Sequence, residues 1–157
     1  MDRAPELLFV CLGNICRSSL AEGIARHIAR QRGMDIRIAS AGTSRYHNGE
    51  PPCSVSTRLA ARHGIDITHQ RSEHISAYDL ASCERIIAMD RSNYRDLMGL
   101  GLDNVTMLGD YGFGGADVAD LYYEPQKAEE VYAMIEAACA SILDDCAHES
   151  SQKSQGH

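Results

Sequence analysis

Apolar residues rich in β-branched side chains recur in four short runs, at residues 7–12, 36–39, 85–89 and 105–108, and amphipathic segments separate these runs. Short apolar runs that alternate with helical segments are typical of β-α-β units around a parallel sheet. The pattern therefore predicts a three-layer α/β/α domain with a four-stranded parallel sheet.

Helical spacing of apolar residues is clearest at residues 19–31 and 126–144. Shorter helices are predicted at residues 53–63, 75–81 and 92–98. Each of these segments lies between two predicted strands or after the last one, as a parallel sheet with crossover helices requires.

The remaining long segments, residues 42–52 and 109–125, are predicted to be irregular loops. Loops of this length in a compact domain usually have a function. A single domain is predicted over residues 1–148, and the polar end of the chain, residues 149–157, is predicted to be a disordered tail.

The composition of the chain indicates which partners it can bind and in which cell compartment it is expected. Among 157 residues, 22 are acidic and 15 are basic, which gives a net charge of −7 and argues against binding to nucleic acid or an anionic membrane. No apolar run approaches the roughly 20 residues of a membrane span, and the first residues lack the layout of a signal peptide. We expect a cytoplasmic protein that is a monomer or weak dimer.

The six cysteines show neither a C-x-x-C pair nor the density of a secreted disulfide scaffold, so most are expected to be reduced thiols. No group of histidine, cysteine and acidic residues has the spacing of metal ligands. The sequence therefore predicts no metal and no organic cofactor.

The turn after the first predicted strand carries a dense set of reactive and polar residues: Cys11, Gly13, Asn14, Arg17 and Ser18. Backbone N–H groups in such a turn converge at the N-terminus of the following helix and form an anion site. These positive surroundings favour the thiolate of Cys11, and the Arg17 guanidinium can pair with two oxygens of a tetrahedral oxyanion. The combination predicts nucleophilic attack on phosphorus at a phosphate loop (P-loop) between strand 1 and helix 1.

The segment "VCLGNICRSS" resembles the signature of the low-molecular-weight protein tyrosine phosphatases. The similarity continues through "SAGT" (residues 40–43), "HGI" (63–65), "MDRSN" (89–93) and "DLYY" (120–123), in the order of that family. The resemblance spans residues 7–142 and implies the family's fold and its hydrolysis of protein phosphotyrosine.

The resemblance also implies roles for individual residues. Cys11 is expected to be the nucleophile that forms a cysteinyl-phosphate, Arg17 the phosphate clamp, and Asp120 the general acid and base. The family usually has proline after this aspartate, where this chain has Leu121, so Asp117 is kept as an alternative acid.

Substrate binding is expected to involve the loop and three aromatic side chains. The residues are Leu12, Gly13, Asn14, Ile15, Cys16, Ser18, Tyr46, Tyr122 and Tyr123. Tyrosines on two facing walls would form a deep slot that fits a phosphotyrosine ring.

The resemblance implies a set of supporting residues as well. Ser40 and His69 are expected to join Asn14 and Ser18 in a hydrogen-bonded network that holds the loop, and Asp90 is expected to orient the histidine. An ordinary surface or capping role for Ser40 and His69 stays open.

Two other activities stay open. Thioredoxin-coupled arsenate reductases share the loop and use a relay of cysteines, and Cys83 lies near the first of their later pair, but no second cysteine follows it closely. A related branch that dephosphorylates arginine carries threonine at the position of Ile15, so this apolar residue favours tyrosine. Phosphotyrosine proteins are therefore the predicted partners.

Cys16 has two interpretations. A second thiol in the loop can form a reversible disulfide with Cys11 under peroxide, or Cys16 can be a small buried residue at the start of the helix. The sequence does not choose between them, and Cys53, Cys139 and Cys146 are predicted to be structural.

Overall fold

The computed structural model describes residues 3–155, with side chains described as far as Glu149. The strands are β1 (Leu7–Cys11), β2 (Ile38–Gly42), β3 (Arg85–Ala88) and β4 (Val105–Met107). The helices are α1 (Arg17–Gln31), α2 (Ser54–Arg62), α3 (Arg91–Met98) and α4 (Ala128–Gln155). Four 3₁₀ turns lie at Ile75–Ala77, Leu80–Ser82, Leu108–Asp110 and Pro125–Lys127.

The four strands form one parallel sheet in the order β2-β1-β3-β4. Side chains of β1 alternate between two apolar cores: Leu7 and Phe9 join the core that contains residues of α1 and α4, and Leu8 and Val10 join the core that contains Leu97 of α3. This alternation follows from the two-residue period of a strand. The predicted three-layer α/β/α fold with a four-stranded parallel sheet is confirmed.

Three elements differ from the sequence prediction by more than the one or two residues seen at the other ends. The second strand runs to Gly42 rather than ending at residue 39, because its small residues pair with the end of β1 although they give little hydrophobic signal. The helix predicted at residues 75–81 is two 3₁₀ turns instead.

The last helix is the third difference. The helix α4 continues to Gln155, so residues 149–155 are helical where the sequence predicts a disordered tail. The last two residues of that predicted tail lie outside the described residues. Within the described part of the chain, no helix combines the length and apolar character that crossing a membrane requires.

Candidate active site

The central strand β1 brings Cys11 to the carboxyl edge of the sheet. All five residues of β1 are buried, and the loop of residues 12–16 joins it to α1, which begins at Arg17. Asn14 has a φ of 57° and is the only non-glycine residue with a positive φ among residues 3–155. Asparagine tolerates this left-handed conformation, which curls the loop into a cradle.

The neighbouring strand leaves room for this loop because it ends in a glycine. A Cβ on Gly42 would lie 2.7 Å from the carbonyl oxygen of Leu12. Since such a contact is prohibitively short for a real side chain, the glycine is what allows the loop to pack against the end of β2.

Polar groups converge on the Cys11 sulfur. The Asn14 N–H donates to Cys11 Sγ at 3.2 Å, and Ser18 Oγ lies 3.0 Å from the same sulfur. Asn14 Nδ2 donates to Ser18 Oγ at 2.8 Å, so the Ser18 hydroxyl accepts there and has its own hydrogen available for Cys11. Both groups can donate hydrogen bonds to the sulfur when it acts as a nucleophile.

A buried carboxylate fixes the other side of Asn14. Asn14 Nδ2 also donates to Ser40 Oγ at 2.9 Å, and the Ser40 hydroxyl donates to Glu22 Oε1 at 2.7 Å. The Glu73 backbone N–H donates to Asn14 Oδ1 at 2.9 Å. The side chain of Asn14 therefore has all of its hydrogen-bonding groups paired, and the sequence analysis missed Glu22 as the end of this chain of bonds.

Arg17 is almost fully buried at the first turn of α1. Its Nη1 donates to Asp90 Oδ2 at 2.7 Å and to the Val118 carbonyl at 3.2 Å, and its Nη2 lies 3.6 Å from Asp120 Oδ2. Burial alone lowers the pKa of Arg17, but the negative charges of Cys11, Asp90 and Asp120 outweigh it and raise the pKa above its ordinary value. The guanidinium is therefore a permanent cation with a fixed orientation beside the thiol.

Asp120 lies at the rim, with 30% of its side chain exposed. Its Oδ1 accepts from the Tyr122 N–H at 3.0 Å. The next residue, Leu121, is completely buried in the core under α1 and α4 and anchors this turn. The alternative acid, Asp117, instead accepts from the Arg91 N–H at 3.0 Å, at the start of α3.

These groups open into one cleft of about 490 Å³. Its lining contains most of the predicted site residues together with two that sequence reasoning did not name, Ser44 and His47; the full set is Cys11, Leu12, Gly13, Ile15, Cys16, Arg17, Ser44, Tyr46, His47, Asp120, Tyr122 and Tyr123. The three tyrosines are strongly exposed at its mouth. The cleft therefore has aromatic side chains at its mouth and a cation at its floor.

Comparison with known proteins gives the family. The sequence profile described as "Low molecular weight phosphotyrosine protein phosphatase" matches residues 6–153. This chain belongs to that family.

Similar proteins cover nearly the whole chain. Low molecular weight protein-tyrosine-phosphatase YfkJ of Bacillus subtilis is 38% identical over 146 residues, which is 88% of this chain and 93% of the relative. The crystal structure of YfkJ superposes with a TM-score of 0.83 and covers 93% of this chain and 96% of its own. The crystal structure of DARP, drosophila arginine phosphatase, superposes with a TM-score of 0.79 at 29% identity and covers 89% of this chain and 96% of its own.

Two supporting residues of this low molecular weight phosphatase lie elsewhere than predicted. His69 is exposed, lines a groove with Arg26 and Asp66, and is not among the hydrogen-bonding partners of Asn14 or Ser40. Asp90 pairs with Arg17 rather than with a histidine, and it also caps α3 by accepting from the Asn93 N–H at 2.8 Å. His69 is therefore not brought to the loop, and Glu22 occupies that end of the network.

The thiol chemistry of this phosphatase also differs from the sequence expectation. Cys16 forms a disulfide with Cys53, with 5.3 Å between the two Cα atoms, while Cys11 is a free thiol. Sequence reasoning weighed only Cys11 as a partner for Cys16. Among the described residues, no group of three or more histidine, cysteine or acidic side chains is arranged to hold a metal ion.

Proposed function

We propose that this chain hydrolyses phosphotyrosine in proteins through a cysteinyl-phosphate on Cys11. One observation carries the proposal: a thiol in contact with the Asn14 N–H and the Ser18 hydroxyl lies beside a buried guanidinium at the floor of a cleft with tyrosines at its mouth. The thiol supplies the nucleophile, the loop and guanidinium supply the oxyanion site, and the tyrosines supply a binding surface for an aryl ring.

In the first step, the Cys11 thiolate attacks phosphorus and the bond from phosphorus to the tyrosyl oxygen breaks. The backbone N–H groups of the loop and the Arg17 guanidinium bind the three non-bridging oxygens, which carry the charge of the transition state. Because Asp90 and the Val118 carbonyl already orient Arg17, little reorganisation is needed at that moment.

Asp120 moves the protons. Its carboxyl group protonates the leaving tyrosyl oxygen, and the resulting carboxylate then takes a proton from the water that hydrolyses the cysteinyl-phosphate. In the free protein, Asp120 lies 3.6 Å from Arg17 Nη2. The dianionic substrate competes for that guanidinium when it binds, which leaves the carboxyl group of Asp120 free to face the leaving oxygen.

Selection of the substrate rests on the depth of the cleft. Tyr46 stands on one loop, and Tyr122 and Tyr123 stand on another, with the last two rings packed edge to face at 5.1 Å. An aryl phosphate reaches the thiol with its ring between these walls, whereas a phosphoserine is too short to do so.

Two further activities share the fold. DARP is named an arginine phosphatase, and this chain has the apolar Ile15 in the loop, which favours an aromatic ring over a guanidinium. Arsenate reduction needs a relay of cysteines, and the bond between Cys16 and Cys53 gives that alternative its support.

The deciding experiment compares kcat/KM for matched peptides that carry phosphotyrosine, phosphoserine or phosphoarginine, with arsenate plus thioredoxin as a parallel assay. We expect phosphotyrosine to be preferred over each of the others by at least about 10²-fold, since a residue that does not fill the slot loses several kcal/mol of binding. Faster turnover of phosphoarginine or of arsenate would reverse this ranking.

The Cys11 thiol also bears on the cell compartment in which this protein acts. A free Cys11 is needed for every turnover, and the cytoplasm keeps thiols reduced, so we propose the cytoplasm as the place of action. We also predict that the protein is a monomer or weak dimer. Sedimentation velocity of the full chain can check this prediction.

A further inference from the structure

The six cysteines fall into two groups with different surroundings. Burial raises the pKa of Cys83 to about 11, and it also raises the pKa of Cys139 and Cys146 above the ordinary value of a thiol. Such thiols are poor nucleophiles. The other three, Cys11, Cys16 and Cys53, lie together at one end of the molecule.

Two of these three cysteines are placed where helices begin, and Cys11 ends β1. Cys16 is the residue that precedes α1, and Cys53 is the residue that precedes α2. Thiolates are favoured at helix N-termini, so each side chain has a local cause for reactivity. Cys11 and Cys16 both line the phosphate cleft, and Cys53 is only partly buried beside it.

One backbone and one side-chain hydrogen bond hold the start of α2 against the phosphate loop. The Cys53 N–H donates to the Ile15 carbonyl at 2.6 Å, and the Ser56 hydroxyl donates to the Cys16 carbonyl at 3.0 Å. The approach of Cys53 to Cys16 is therefore built into the fold. Neither hydrogen bond involves a sulfur atom, so neither depends on the disulfide.

We propose that Cys16 and Cys53 form a thiol relay that restores oxidised Cys11 and gives this phosphatase a peroxide-reducing activity. The proposal rests on Cys11 as the reactive thiol of the proposed function. Its substrate class is a hydroperoxide small enough to enter the cleft, such as hydrogen peroxide.

The relay has three steps that balance. The Cys11 thiolate attacks a peroxide oxygen, the O–O bond breaks, and Cys11 becomes a sulfenic acid as one water leaves. The Cys16 thiol attacks the Cys11 sulfur, an S–S bond forms, and a second water leaves. The Cys53 thiolate attacks Cys16 Sγ, the bond from Cys11 to Cys16 breaks, and Cys11 departs as a thiolate.

The net reaction consumes one hydrogen peroxide and two thiols and yields two waters and the Cys16–Cys53 disulfide. The last step is favoured because Ser18 and the Asn14 N–H stabilise Cys11 as the leaving thiolate. An external dithiol reductant then reduces the bond at the partly exposed Cys53 and completes the cycle. The relay ends in the same Cys16–Cys53 bond that the structure contains.

The test begins with fully reduced protein freed of reductant, whose phosphatase activity is measured first. One equivalent of hydrogen peroxide is then added, activity on p-nitrophenyl phosphate is followed, and disulfides are mapped by mass spectrometry. We expect wild type to lose activity and regain most of it without added reductant, while Cys16–Cys53 accumulates. Cys53→Ser is expected to accumulate the Cys11–Cys16 bond and to regain activity only after dithiothreitol.

Two variants complete the test, each normalised to its own activity before peroxide. Cys146→Ser removes a partly buried thiol elsewhere on the molecule and should behave as wild type. Cys11→Ser should form Cys16–Cys53 at least about tenfold more slowly, since it lacks the thiol that reacts first. Recovery of Cys53→Ser at the wild-type rate, or equally fast bond formation in Cys11→Ser, would overturn the relay.

The phosphatase activity measured before peroxide is added distinguishes failure of the relay from failure of the proposed function. Reduced wild type without phosphatase activity would refute the proposed function, while disulfide mapping would still report whether the relay operates.

Discussion

The loop after β1 and the loop that carries Asp120 meet at Arg17, yet different forces hold them. In the first, the Asn14 side chain has every polar group paired, and its partners reach from Cys11 to the buried carboxylate of Glu22. This region is buried and polar. Its shape is set before any phosphate arrives.

In the second loop, the acid itself is one-third exposed and is held by apolar anchors. Leu121 and Val118 are buried on either side of Asp120, and the Val118 carbonyl also binds Arg17. Anchors of this kind fix where the loop runs without fixing each polar atom. The phosphate site is therefore preorganised by hydrogen bonds, whereas the acid is positioned by packing, and changes in the two regions should affect different steps of the reaction.

The largest effect is expected from Cys11→Ser. Turnover should fall to background because the alcohol of serine is a far weaker nucleophile at neutral pH, while the N–H groups and Arg17 that bind the oxyanion remain. An activity assay checks the loss of turnover. Titration calorimetry with a phosphotyrosine peptide checks that binding is retained. Substantial residual turnover would refute the nucleophile, and Cys146→Ser serves as the control.

Asp120→Ala should slow hydrolysis of phosphotyrosine by about 10²–10⁴-fold, the usual contribution of general acid catalysis. The loss should shrink for aryl phosphates with more acidic phenols, because these leave without protonation. Asp117→Ala is the matched control and should stay near wild type in kcat, since that carboxylate binds the Arg91 N–H. A large loss in the control instead would identify Asp117 as the acid.

Residues that are close along the chain could be predicted from the sequence, whereas residues that meet only through folding could not. Cys11 and Arg17 are six positions apart in one continuous turn, so local geometry alone brings them together. His69 and Cys53 depend on how distant segments dock, and no spacing along the chain reveals that the start of α2 touches Cys16. Glu22 was missed because a lone carboxylate on a helix carries no signal until Ser40 is seen beside it.

Asn14→Ala should lower kcat by about 10- to 100-fold on all substrates alike, because it removes buried hydrogen bonds worth about 1–3 kcal/mol and strains a residue with a φ of 57°. Asn14→Gly also loses the side-chain bonds but accepts this backbone conformation. Comparison of the two variants by steady-state kinetics separates conformation from bonding. Equal losses would show that the side-chain bonds alone shape the loop, and no loss in either would contradict preorganisation by hydrogen bonds.

The smallest catalytic effect is expected from Leu121→Ala, which tests whether packing positions the acid. Removing this buried side chain should lower the free energy of unfolding by about 2–5 kcal/mol, measured by urea denaturation. Below its unfolding transition, the variant should lose only about tenfold in kcat for phosphotyrosine, equivalent to about 1.4 kcal/mol, because Asp120 is displaced rather than removed. For an aryl phosphate with an acidic phenol, its kcat should match wild type, since that reaction needs the phosphate loop but not the acid. An equal loss on both substrates would mean that Leu121 supports the phosphate loop as well, and the division between the two loops would fail.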